Sequence, residues 1–63
     1  MLDSKAVAEV LGTDSRRVND SAGRLNLKRF ARYRHGYKRM FDSDDIDRIK
    51  ADLISRGIIQ KDA

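Results

Sequence analysis

The chain has 63 residues, no cysteine, no proline and one histidine; 14 lysines and arginines face 10 acids, for a formal charge of +4. One small domain fits that length and two do not. Disulfides and cysteine-held zinc are excluded, and no run of about 18 apolar residues is present to span a membrane. The opening Met-Leu-Asp-Ser-Lys lacks the apolar stretch of a signal peptide, so the expected compartment is the cytoplasm, at the nucleoid.

Asp3 is a strong N-cap for a first helix, with Leu2 and Val7 at the spacing of a hydrophobic staple. Ala6, Val7, Val10 and Leu11 form an apolar stripe at helical spacing. Gly12 follows, where a left-handed residue can end the helix. A second helix is expected from Ser15 to about Arg24, capped by Asp14. Val18, Ala22 and Leu25 point inward; Arg16, Arg17, Asn19 and Asp20 lie on other faces. Asn19, Asp20, Ser21 and Gly23 are weak helix formers, so packing or a ligand must hold this helix. Two helices joined by a Gly-Thr-Asp corner make a helix-turn-helix pattern.

Residues 28–41 read KRFARYRHGYKRMF, with aromatic and basic residues interleaved. His35-Gly36 marks a turn between two short strands, about 28–33 and 37–41. A lone hairpin is marginally stable, so it must pack on the helices, and Leu25, Leu27, Phe30 and Met40 are available for that. Strand parity leaves open whether Phe41 packs or faces outward. Asp42 caps a third helix, Asp45 at N3 gives a shortened capping box, and Phe41 and Ile46 form a second staple. Asp44, Asp45 and Asp47 sit where the helix dipole favours anions. Ile46, Ile49, Leu53 and Ile54 give the buried stripe. Arg56 lies in the last turn, Gly57 ends the helix, and Ile58 folds back on Leu53. Gln60 onward is expected to fray. The expected fold is mostly α with a small β-hairpin, in one domain over residues 1–63: helix, helix, two-stranded hairpin, helix. That order is a minimal winged helix-turn-helix.

The charge is segregated. Residues 16–39 hold nine bases and one acid, net +8, while the remainder holds five bases and nine acids, net −4. Such clustering raises self-repulsion unless a polyanion uses it, and solubility alone does not require it.

Two stretches resemble a known family. Ala8-Glu9-Val10-Leu11-Gly12-Thr13-Asp14-Ser15-Arg16-Arg17-Val18 is similar to the helix-turn-helix line of MerR-type regulators and of phage and plasmid excisionases. Arg39-Met40-Phe41-Asp42-Ser43-Asp44-Asp45-Ile46 is similar to their wing-to-helix line. The resemblance covers residues 2 to about 54. It implies a winged helix-turn-helix that binds double-stranded DNA, and a phosphate-contacting arginine at Arg39. Those families often carry an arginine or an aromatic residue where Asp20 and Ser21 stand. The long dimerisation helix and effector domain of MerR-type regulators have no counterpart in this sequence, whose length is nearer that of an excisionase or small phage regulator.

In such a fold the second helix enters the major groove, with Ser15, Arg16, Arg17, Asn19 and Asp20 near its leading end. Arg16 or Arg17 can grip guanine in bidentate fashion, and Asn19 can pair with adenine. The favoured division makes Arg17 and Asn19 base readers and Arg16 a phosphate clamp. Asp20 either accepts from cytosine or orients an arginine; the cost of an anion near phosphates favours the second. Arg32, Arg34, His35 and Lys38 near the hairpin tip follow the DNA backbone or enter a minor groove, where arginine reads width. Arg24, Lys28 and Arg29 link helix to hairpin and position the backbone. Tyr33 and Tyr37 either pack the hairpin, give a hydroxyl to phosphate, or stack on an unpaired base.

No Ser-His-Asp arrangement, phosphate-cradling glycine loop or metal-ligand spacing is present, and so small a chain leaves little room for a pocket where acid and base converge. The expectation is therefore a non-enzyme without cofactor or metal. Its partner is double-stranded DNA, with cooperative self-association or a homodimer on the DNA to supplement few base contacts. Transcriptional regulator and recombination directionality factor are not separated. Two other classes stay open: a single-stranded nucleic acid or RNA binder stacking bases on Tyr33 and Tyr37, and a module whose basic face docks an acidic protein.

Overall fold

Three aspartates start three helices. In the computed structural model, which describes residues 1–60, α1 spans Ser4–Leu11, α2 Ser15–Arg24 and α3 Ser43–Ser55. Asp3, Asp14 and Asp42 cap them, each side chain accepting the N–H three residues on (Ala6, Arg17 and Asp45). At α3 the box is complete: Asp42 Oδ1 takes the Asp45 N–H at 2.8 Å, and Asp45 Oδ2 takes the Asp42 N–H at 3.4 Å. The helices also end alike. Gly12 (φ 73°), Asn26 (φ 62°) and Gly57 (φ 73°) are left-handed. The next residue in each case, Thr13, Leu27 or Ile58, donates its N–H back to Ala8, Ala22 or Leu53 at 2.9 Å. Ile58 thus folds back on Leu53 as expected, and Asn26 supplies the end of α2 that the sequence left indefinite. Gln60 is exposed and outside any helix or strand; residues 61–63 lie outside the described residues.

The strands are β1 (Leu2–Asp3), β2 (Phe30–Tyr33) and β3 (Gly36–Phe41), in an antiparallel sheet of order β1-β3-β2. The sheet has one strand more than expected. Leu2 pairs with Phe41 and Asp3 with Met40, so the residues leading into α1 also tie the hairpin to the helices. The hairpin turn differs by one residue. Tyr33 pairs with Gly36, which leaves Arg34 and His35 as the two loop residues, and Arg34 takes the positive φ of 53°.

Eight residues form the core: Val7, Ala8, Val18, Ala22, Leu27, Phe41, Ile49 and Leu53. Leu11, Leu25, Ile46, Ile58 and Ile59 pack at its margin. Phe41, left open by strand parity, is fully buried. Several packing expectations fail: Ile54, expected on the buried stripe of α3, is only half-buried and outside the core, and Leu2, the expected staple partner of Val7, is exposed. Val10 is 66% exposed, because Val7, Ala8 and Leu11 centre the inward stripe of α1 and leave Val10 to one side of it. Phe30 is 50% exposed: it sits opposite Arg39, two residues up β3 from Phe41, and lies outside the core. The fold is therefore three helices against a three-stranded antiparallel sheet.

Candidate nucleic-acid interface

The buried residues of α2 are Val18, Ser21 and Ala22, so the opposite face is centred on Arg16, Asp20 and Gly23. Ser15, Arg16, Arg17, Asn19, Asp20 and Arg24 are all exposed. Their polar heads are differently employed. Arg17 leans on Asp14 at 3.8 Å. Asn19 Oδ1 accepts the Ser4 hydroxyl at 2.6 Å, which turns its amide toward α1. Arg16 has no counter-ion among the described residues.

Asp20 belongs to a cluster that clamps α2 to α3. Its Oδ2 accepts Arg24 Nε at 3.2 Å and Arg56 Nη1 at 3.1 Å. Arg56 Nη2 reaches Asp52 at 2.7 Å, and Asp52 accepts the buried Ser21 hydroxyl, also at 2.7 Å. Hydrogen bonds from Arg56 and then Arg24 hold the Asp20 carboxyl below its usual range. The Ser21 hydroxyl, followed by Arg56, does the same for Asp52. Arg56 is correspondingly raised, first by Asp20 and then by Asp52. Ser21 is thus buried against Asp52, while Asp20 stays exposed and is held by Arg24 and Arg56. An arginine or aromatic residue at position 21 has no room against α3.

The remaining candidates fall on the α2–β2 loop and the hairpin. Arg29 is held by two caps of α3, Asp42 at 3.0 Å and Asp45 at 3.4 Å. Lys38 reaches Asp3 at 3.1 Å, and Arg39 Nη1 donates to the Leu27 carbonyl at 3.4 Å. The Asp3 carboxyl is lowered, first by the Ala6 N–H and then by Lys38; Asp42 is lowered first by the Asp45 N–H, with a smaller contribution from Arg29. Lys28 and Arg32 are exposed and have no counter-ion among the described residues; Arg34 lies 5.0 Å from the Tyr33 ring centre, with no carboxylate on it. His35 is exposed at the turn.

Ion-pair strength separates these groups. Exposed pairs such as Arg17–Asp14 and Arg24–Asp20 are worth about 0–1 kcal/mol and exchange readily for a phosphate. Arg29 on the largely buried Asp45, and Arg56 on Asp52, are tied to the helix packing itself. Among the described residues the cations without a carboxylate are thus Arg16 on α2 and Lys28, Arg32, Arg34 and Arg39 along the loop and hairpin, with Lys5 on α1 and Arg48 on α3 apart from them. Sequence reasoning missed Arg56 as an organiser: Asp52 stands at the local i,i+4 spacing, but Asp20 lies on another helix, 36 residues away, and no local spacing signals it.

Among the described residues, no group of three His, Cys, Asp or Glu side chains stands together to hold a metal, and no helix is long and apolar enough to cross a membrane. Comparison with protein-family models, with curated proteins and with solved structures gives no match.

Proposed function

We propose that this chain is a sequence-specific double-stranded DNA-binding domain of winged helix-turn-helix type, acting by binding and without catalysis. In this reading α1 and α2 are the helix-turn-helix, α2 enters the major groove, and the β2–β3 hairpin is the wing on the backbone or adjacent minor groove. The observation that carries it is the distribution of unneutralised charge. Nine acids surround the basic segment, yet of the seven described lysines and arginines without a carboxylate, five (Arg16, Lys28, Arg32, Arg34 and Arg39) lie on α2, the following loop or the hairpin, and Lys5 on α1 and Arg48 on α3 are the other two. The likeness of residues 8–18 and 39–46 to MerR-type and excisionase sequences supports the same reading. Transcriptional regulation and recombination directionality both fit such a domain.

The geometry shifts the roles within α2. Arg16, central on the outward face and without a counter-ion among the described residues, is the better base reader. Asn19 has its carbonyl oxygen occupied by Ser4, and a bidentate contact to adenine needs that oxygen. Arg17 and Arg24 serve phosphates after exchanging their exposed partners. Asp20 orients arginines rather than reading cytosine.

Fluorescence anisotropy with a labelled duplex, and with one of its separated strands, tests the proposal across a salt series. The duplex should bind more tightly, with a log–log salt slope between about −3 and −5, at roughly −0.9 per phosphate contact. Tighter binding to the single strand, or no salt-dependent binding to the duplex, contradicts it.

A further inference from the structure

The β2–β3 hairpin has two unlike faces. Cross-strand register places Phe30 opposite Arg39 and Arg32 opposite Tyr37, so these four share one face. On the other face Tyr33 is covered, with Lys38 Nζ 4.1 Å and the Arg34 guanidinium 5.0 Å from its ring centre. The first face is open. Phe30 is 50% exposed and Tyr37 70% exposed, and between them lies a shallow apolar hollow that the two residues line. The Arg39 guanidinium stands 5.3 Å from the Phe30 ring centre, and Arg32 lies beside the pair without a counter-ion among the described residues. Among the described residues, none of the four side chains on this face is acidic; Asp45 borders Phe30 on the side of α3, where it is engaged by Arg29.

We propose that the Phe30–Tyr37 face is an apolar wedge for duplex DNA, entering the minor groove next to the site taken by α2 and opening a base step. This inference rests on the duplex-binding reading above. An occupant of this face must be flat and apolar at its centre and anionic at its rim. Sugar and base surfaces between two phosphate walls have that character. A minor groove about 6 Å wide does not admit a hairpin unopened. Proteins that open it insert apolar side chains such as phenylalanine between base pairs, and the apolar burial offsets the unstacking. Pyrimidine–purine steps resist this least and A-tracts most, so the wedge selects among sequences by deformability.

The test uses the full chain and two labelled duplexes of equal length, one with central TA steps and one with an A-tract. Anisotropy gives affinity, and energy transfer between the duplex ends gives their separation. The wild type should favour the TA duplex by about tenfold, the scale of one aromatic contact, and should shorten its end-to-end distance. The double variant Phe30→Ser/Tyr37→Ser should bind both duplexes equally and leave them straight. Its salt slope should not change, since no cation is removed. Tyr37→Ser, which alters no core residue, should lose part of the preference and so separates wedge loss from misfolding. Retention of preference and shortening in the double variant overturns the wedge while leaving duplex binding intact. A wild type that binds no duplex refutes the DNA reading and the wedge with it. Tighter binding to a single strand, lost in the double variant, assigns the face to unpaired bases instead.

Discussion

Arg34 occupies the first loop position of a two-residue hairpin turn at φ 53°, where glycine is the usual residue. An L-residue there is disfavoured, and the guanidinium gains only a stack on Tyr33 in return. A charge needed by a ligand accounts for the choice better than the turn does. Arg34→Gly should therefore leave stability within about 1 kcal/mol of wild type, the strain relieved and the stack lost being of similar size. It should weaken binding to all duplexes alike, as thermal melts and anisotropy would show; a large loss of stability would return Arg34 to a structural role. Arg16→Ala should cost about 1–3 kcal/mol on a preferred duplex and far less on scrambled DNA. Equal losses on both would make Arg16 a phosphate contact. Residue identity made these candidates visible, but their availability was not. Whether Arg29 is free or held by Asp42 and Asp45 depends on 13 to 16 residues of intervening chain.

At the scale of elements, the local rules were readable wherever cause and effect lie within a few residues. The three aspartate caps and the Gly12 and Gly57 ends are of that kind. The strand β1 was not readable, because two residues carry no periodicity and their partner is Phe41, far along the chain. The clamp of Ser21, Asp52, Arg56 and Asp20 was equally hidden, since it joins positions 31 and 36 residues apart. Both packing and charge of α3 are open to test. Leu53→Ala removes a fully buried side chain from an eight-residue core. A loss of about 2–5 kcal/mol should unfold much of so small a domain, and a cooperative melt unchanged from wild type would contradict the core assignment. The carboxyls of Asp3, Asp20, Asp42 and Asp52 are all lowered from an ordinary value of 3.8. A lowered carboxyl stabilises the fold fully above that ordinary value and ceases to as pH falls through the folded value. The thermal midpoint should hold between about pH 7 and 5 and decline below about pH 4, less steeply in Asp52→Asn. A midpoint level down to about pH 2 would show that these pairs do not matter to stability.

For the whole molecule, the determining feature is how opposite charges are arranged. Nine of the ten acids lie outside the basic segment in sequence, yet in space Asp3, Asp42, Asp45 and Asp52 sit where they fasten helix starts and helix contacts. Structural cations are thereby neutralised, and a net positive surface remains on α2, the following loop and the hairpin. Such a surface draws a polyanion from any direction, and salt weakens that attraction. Site recognition requires more: an ordered α2 carrying Arg16 outward, held at a fixed angle by the clamp to α3. On the proposed DNA-binding reading, one small domain offers few base contacts, and neighbouring copies on the DNA would share the task. Selection from random duplex DNA at about 150 mM salt, with the winning sequence compared against its scrambled form, tests this most directly. The account predicts a winner bound at least about 10³-fold more tightly, the lower range for specific recognition. A pool that yields no preferred sequence, and whose binding simply disappears as salt rises, would contradict it.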